Sequence, residues 1–384
     1  MRFLTDPPAV RRLAQASQRL GSDPLLIQAA GGNSSIKEQD CLWVKASGLW
    51  LRDALQRPMF VPVSLSRVRA LVAAGAADPV GPALLHAQTA AGLRPSIETT
   101  LHALMPHRVV LHVHSVDAIA WAVQPGAQTA LAALLDGIRW GWVDYHRPGL
   151  PLTRAVAQRL AQPPMDASSA QPPEDGLPVP PPVDGLPAQR SVDAPPSIDV
   201  LLLGNHGLVV GGASVLHAEQ RLAEVASRLR RPVRAAPAAD GAGLALDAAA
   251  TGWRLPGNAR GHAVATDPVN LERAVRGVLY PDHVVFLGHQ MSVAPAALAR
   301  GGPALSDWLR AQRRSAGPAP LIAVPGRGVL LRDDLSEAAC EMLTCLADVL
   351  QRLPPSGAPV YLPDEEAQAL AHWEAEQFRQ AQVR

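Results

Sequence analysis

Hydrophobic and polar positions divide the chain into short periodic segments punctuated by Gly and Pro. Residues 8–20, PAVRRLAQASQRL, have a Pro start and the apolar spacing of an amphipathic helix, which Gly21 closes. Leu25-Leu-Ile-Gln-Ala-Ala reads as a strand ending in the tight turn Gly31-Gly32-Asn33-Ser34-Ser35. Cys41-Leu-Trp-Val-Lys-Ala is a second strand, ending at Ser47-Gly48. Residues 62–74 open with Pro62-Val-Ser64 and carry Val68, Leu71 and Val72 at helical spacing. Pro95 fits just inside the start of a helix that runs to Met105 and is closed by Pro106. Arg108-Val-Val-Leu-His112-Val-His114-Ser115 is a strand, and the helical stretch Val116 to Val123 stops at Pro125-Gly126. Trp140 to His146 is strand-like, with a helix near 152–161.

Residues 163–198 break this pattern. Eleven prolines fall between Pro163 and Pro196, with Ser, Asp and Gln and few large apolar residues, as in a solvated insertion rather than a packed core. Val200 to Gly211 is a strand, an Asn205-His206-Gly207 turn and a second strand, followed by a helix over 214–230. The pattern divides the chain into a domain of residues 1–235, an Ala/Gly/Asp/Pro-rich linker at 236–266 and a C-terminal α/β extension at 267–384. That extension holds the segment Val278 to Leu287, a strand at Leu321 to Val324, a helix from Ser336 to Leu353 and a final helix at about 364–380.

The bulk numbers narrow the function classes. With 384 residues and 48% hydrophobic content, a large core is available. A net charge of +1 and only 4% aromatic residues argue against nucleic acid and anionic membrane as partners. No apolar run reaches the roughly 18 residues of a membrane span, and the N-terminus breaks at Pro7-Pro8 before any signal-length run. Cys41, Cys340 and Cys345 are odd in number and lack zinc-type spacing, which fits a reducing compartment; the expectation is a soluble cytoplasmic protein. Lys37 and Lys45 are the sole lysines, so Schiff-base chemistry would need one of them and metal-based chemistry is favoured for a carbonyl.

Side chains alternate along a strand, so His112 and His114 point the same way, roughly 7 Å apart at Cα. Two imidazoles so placed can share a zinc ion, or simply form one face of a strand. His206, in a turn between two core strands, is a candidate third ligand or a turn cap, because a buried imidazole needs partners. Ser96 and Glu98 fall in the first turn of their helix, where an acid is favoured by the macrodipole alone. Gly326-Arg-Gly328 is a fragment of a dinucleotide fingerprint without its third glycine, and nucleotide binding is discounted.

In order along the chain stand Gly32-Asn33-x-Ser35, Ser47-Gly48, Pro95-Ser96-x-Glu98, His112-x-His114 and Asn205-His206-Gly207. This set resembles the zinc-dependent class II aldolase/adducin family over roughly residues 8–231. It is most similar to the aldolase part of bifunctional aldolase/short-chain-dehydrogenase proteins, which the phrase Leu42-Trp-Val-Lys-Ala-Ser-Gly and the segments Pro281-Asp-His283-Val and His372-Trp-Glu-Ala-Glu376 also resemble. The resemblance implies a three-layer α/β/α domain around a mixed, mainly antiparallel sheet. It implies His112, His114 and His206 as ligands of Zn²⁺ or another divalent metal, and Glu98 as the catalytic carboxylate that ligates or faces the metal and serves as base. Asn33, Ser35, Ser47, Gly48 and Ser96 would then line the site for an anionic end of a small carbohydrate. The implied reaction is aldol cleavage of a hydroxylated ketose, sugar phosphate or sugar acid through a metal-stabilised enediolate. Epimerisation or decarboxylation on the same site, or an adducin-like scaffold role, are the alternatives, and Glu rather than Asp at position 98 favours a lyase over an epimerase. A homo-oligomer, commonly a tetramer, is also implied. Two departures stand out. Ile97 replaces the second serine of the family's Pro-Ser-Ser-Glu, which opens the way to an unphosphorylated substrate. The family's proton-donating tyrosine has Tyr145 as its nearest candidate.

Overall fold

A computed structural model of the chain describes residues 7–86, 89, 92–165, 198–315 and 319–382. All of the proline-rich stretch but its ends lies outside the described residues. The chain forms two compact units, one of Met1–Ser22, Gly32–Val113 and Gly126–Leu229, the other of Asp23–Gly31, His114–Pro125 and Arg230–Arg384.

In the first unit, β1 (Asn33–Glu38), β2 (Cys41–Lys45), β3 (Phe60–Ser64), β4 (Val109–Val113), β5 (Trp140–Val143), β6 (Val200–Leu203) and β7 (Gly207–Gly212) form one sheet. Their order is β3-β2-β1-β4-β7-β6-β5. Only β5 and β6 run parallel; every other neighbouring pair is antiparallel. The helices, in chain order, begin with α1 (Pro8–Gly21), α2 (Leu65–Ala73) and α3 (Thr99–Leu104). Next come α4 (Val116–Ala122), which belongs to the second unit, then α5 (Ala127–Leu134), α6 (Leu150–Leu160) and α7 (Val215–Leu229).

Strand β4 lies mid-sheet, and all five of its residues are buried. That is why its sequence is an almost continuous apolar run: a strand covered on both faces has no solvent side to alternate with. Its register with β1 sets Asn33 opposite His112, Ser34 opposite Leu111 and Ser35 opposite Val110. Asn33, Ser35, Val110 and His112 therefore share a face. On that face Val110, Leu201, Leu203 and Val209 pack with Leu101 of α3 and Leu152 and Val156 of α6. Ser34 turns to the other face, where its hydroxyl bonds that of Ser17 on α1 at 2.7 Å. Helix α7 packs beside α1, closing the α/β/α sandwich.

Several segments depart from expectation here: Asn33 to Ser35, read as part of a turn, opens strand β1, and the helix expected from Pro95 begins only at Thr99, so Ser96 and Glu98 precede it. Leu25 to Ala30 forms turns rather than a strand, although Ile27, Ala29 and Ala30 are buried. A short apolar run reads alike whether it is a strand or a buried turn. Residues 62–74 split: Phe60–Ser64 is the edge strand β3, and the Ser64 hydroxyl accepts the Arg67 N–H to start α2. Pro62 is tolerated there because the Pro62 carbonyl faces outward to Leu85 N–H, so its missing donor is on the unpaired side.

The second unit has a four-stranded sheet, ordered β8-β11-β10-β9. It is built from β8 (Trp253–Arg254), β9 (Ser292–Val293), β10 (Leu321–Val324) and β11 (Gly328–Arg332). Trp253, Leu305, Leu309, Ile322, Val324 and Leu330 form its core. Its further helices are α8 (Gly241–Ala248), α9 (Ala263–Thr266), α10 (Pro268–Arg276), α11 (Pro281–Leu287) and α12 (Pro303–Arg314). The last three are α13 (Glu337–Arg352), α14 (Asp364–Ala371) and α15 (Glu374–Gln382). The stretch 236–266 thus contains α8, β8 and α9. Helix α13 is buried along most of its length and packs against α4 and α11. The single helix expected over 364–380 is two, because the chain turns at His372-Trp373 and restarts as α15 with Glu376 buried. Among the described residues, no helix is long and apolar enough to cross a membrane.

Candidate metal centre

Strand β4 delivers His112 near its end, and His114 follows just past it. The third histidine comes from a tight turn between β6 and β7, closed by the His206 N–H on the Leu203 carbonyl at 3.1 Å. Asn205 occupies the left-handed position of that turn at φ 51°, a conformation asparagine tolerates better than most residues. The Cβ that any larger residue would carry at Gly204 would lie 2.9 Å from the Tyr145 backbone nitrogen, so glycine is required for the close approach.

All three histidines are buried, and one ligand atom from each lies within 4.8 Å of the others. The His112 and His206 rings meet edge to face, with centroids 4.9 Å apart. Nitrogens around a tetrahedral zinc at about 2.0–2.1 Å sit roughly 3.4 Å from one another, a closure within the reach of modest ring rotations. The donor set suits such an ion: three imidazoles bind it in the neutral form and leave a coordination position open.

Glu98 precedes α3, but its carboxylate makes no capping bond. Instead Oε2 accepts the Asn33 Nδ2–H at 2.6 Å and lies 2.9 Å from His112 Nδ1, while Oε1 is 3.5 Å from His206 Nε2. Ser96 accepts the Glu98 N–H through its hydroxyl at 3.2 Å, fixing the turn that aims the carboxylate. The Ser96 N–H donates to the Lys45 carbonyl and the Ser47 N–H to the Arg94 carbonyl, which brings Ser47-Gly48 beside Pro95-Ser96. The Ser35 hydroxyl is engaged with His102 Nδ1 at 2.7 Å. Tyr145, half-buried, follows β5; its backbone packs against Gly204, just before Asn205-His206.

His102 and Asp282 escaped sequence reasoning. His102 is wholly buried on α3, and burial, followed by the neighbouring His112 charge, pushes its pKa down to about 3, so the ring is neutral. Only its place one turn beyond Glu98 could have flagged it. Asp282, in the first turn of α11, approaches His114 Nδ1 with Oδ2 at 2.9 Å. Burial opposes its charge, yet the Arg379 guanidinium, with His114, holds the carboxyl well below the usual carboxylate range. The signal was an acid opening the apolar run Val284-Val-Phe-Leu287, a site where an acid stays buried only with partners.

Both lysine amines are tied to main-chain carbonyls. Lys45 donates to Gly32 at 2.9 Å; Lys37 donates to Met105 and, at 2.8 Å, to His107. These bonds pin the glycine turn and the end of α3, a cross-linking use rather than a reactive one.

An α/β/α sandwich around a mixed sheet, with a histidine cluster where β4 meets the β6–β7 turn, defines a class II aldolase-type domain. The family model described as "Class II Aldolase and Adducin N-terminal domain" matches residues 11–230, and the chain belongs to that family. YuxG of Bacillus subtilis, described as an uncharacterized oxidoreductase, is 32% identical over 173 residues. That alignment takes 41% of this chain and 24% of YuxG, so the chain matches about a quarter of that relative's length. The match fits the resemblance to the aldolase part of bifunctional aldolase/dehydrogenase proteins. Among solved structures, the N-terminal class II aldolase domain of a conserved protein from Thermoplasma acidophilum is 22% identical, with a TM-score of 0.41, covering 60% of this chain and 94% of that one. The l-fuculose-1-phosphate aldolase of Thermus thermophilus is 16% identical, with a TM-score of 0.32, covering 57% and 92%.

Proposed function

We propose that the chain is a zinc-dependent aldolase that cleaves a carbon–carbon bond in a hydroxylated ketose, sugar phosphate or sugar acid. The observation carrying this reading is the gathering of three buried imidazoles, two of them beside the Glu98 carboxylate. His112, His114 and His206 would hold the metal. When bound, a divalent ion supplies Lewis-acid polarisation of a carbonyl oxygen. Aldol cleavage moves a hydroxyl proton to a base as the carbon–carbon bond breaks and an aldehyde leaves, then returns a proton to the remaining carbon. Glu98 is the group proposed to hold that proton, with Asn33 fixing one carboxylate oxygen and leaving the other toward His206. Tyr145 is the candidate second proton donor. Asn33, Ser35, Ser47, Gly48 and Ser96 line the substrate side in this proposal, and Ile97 favours an unphosphorylated acid or ketose over a phosphate ester. The enzyme is further proposed to be a cytoplasmic homo-oligomer.

The test is elemental analysis of the purified protein, joined to a screen of ketose phosphates and their unphosphorylated counterparts for aldehyde release. One equivalent of metal and release from a ketose or sugar acid are expected. A protein that carries no metal and takes up none overturns the reading in favour of an adducin-like scaffold.

A further inference from the structure

The C-terminal extension contributes a buried network that ends on one of the three histidines. His114 and Asp282 are 6% and 3% exposed, and the 2.9 Å contact uses His114 Nδ1. The other carboxylate oxygen of Asp282 is ion-paired with Arg379 of α15. The Arg379 guanidinium in turn pairs with Glu376, one helical turn earlier, at 2.6 Å. Gly31 seals the contact from the side: a Cβ there would lie 2.8 Å from His114 Nδ1 and 2.9 Å from Asp282 Oδ2. All five residues belong to the second unit, and Asp282, Glu376 and Arg379 lie beyond the segment that the family model matches.

We infer that Asp282 is a positioning residue for the metal centre: it accepts the His114 Nδ1–H, fixing the ring's tautomer and orientation, while Arg379 and Glu376 fix Asp282. The inference rests on the proposal that His114 is a metal ligand. With Nδ1 given to the carboxylate, Nε2 is the nitrogen left for the ion. A carboxylate behind a ligating imidazole also makes it a stronger donor, and losing such a partner typically costs roughly 10–100-fold in metal affinity. The C-terminal extension thereby holds a proposed metal ligand in place.

The experiment measures zinc affinity by competition with a chromophoric chelator for the full chain and for D282A, D282N and R379Q. Nitrogen NMR of the imidazoles in the metal-free proteins then reports the His114 tautomer. D282A is expected to bind zinc roughly 10–100-fold more weakly and to release His114 into a mixture of tautomers. D282N keeps an acceptor and is expected to fall between D282A and the unaltered protein, as is R379Q. If D282A binds zinc as tightly as the unaltered chain with the tautomer unchanged, the inference fails while the metal reading stands. If the unaltered chain binds no zinc, the metal reading fails and takes the inference with it. Should D282A not fold, D282N and R379Q decide: no change in affinity or tautomer in either overturns the inference.

Discussion

Glu98 and Asp282 are both buried carboxylates set against histidines, yet their surroundings differ. Glu98 meets an asparagine amide and two imidazoles, His112 and His206. Asp282 meets one imidazole and a guanidinium that is itself clamped by a second acid. A carboxylate fixed by a guanidinium keeps its charge and makes a poor proton carrier, but it holds an imidazole rigidly. A carboxylate set against an amide and imidazoles is the better placed of the two for acid–base work. The same functional group can therefore serve the chemistry in one unit and the geometry in the other.

Loss of a histidine from the cluster has the largest expected effect. H112A or H206A is expected to lose zinc affinity by more than the roughly 10–100-fold typical of an outer-shell partner, read by the same chelator competition. Next, E98Q is expected to lower kcat by about 10²–10⁴-fold while retaining stoichiometric zinc. D282N should show the reverse balance, with weaker metal and a smaller loss of turnover once metal is saturating. Equal losses of both properties in the two variants would erase the distinction. G31A is expected to destabilise the protein by about 1–3 kcal/mol in denaturant unfolding, because the new methyl group overlaps the His114–Asp282 contact.

A further effect is confined to acid pH. His102 in the first unit and His283 in the second are buried, neutral rings, their pKa values pushed down by burial to about 3 and about 4. Each binds a proton more readily when unfolded, near the ordinary 6.5, than when folded. Their stabilising contribution is complete above about pH 6.5 and shrinks as pH falls toward 4 and 3. Unfolding free energy should decline over that interval, and H283Q should flatten the upper part of the decline. An unchanged slope in H283Q would show that another group governs it.

Where a side chain's environment is fixed by its own strand or helix, the chain was readable. The 3.6-residue spacing placed α1, α7 and α13, and the apolar run before His112 placed β4. The order of Asn33, Glu98, His112 and His206 along the sequence could also be read, and β1, β4 and the β6–β7 turn bring these residues together. Contacts over long separations could not be read. Nothing local ties Asp282 to His114, 168 residues away, or distinguishes it from an ordinary helix-start acid. Leu25 to Ala30 misled for a related reason, since burial in a turn leaves the same apolar letters as burial in a strand.

Pro62 has a consequence outside the chemistry. The rim of the large sheet at β3 presents a carbonyl already taken by Leu85 and no N–H beside it. An incoming strand from a second copy would find a broken ladder, so growth of the sheet from molecule to molecule is blocked along that side.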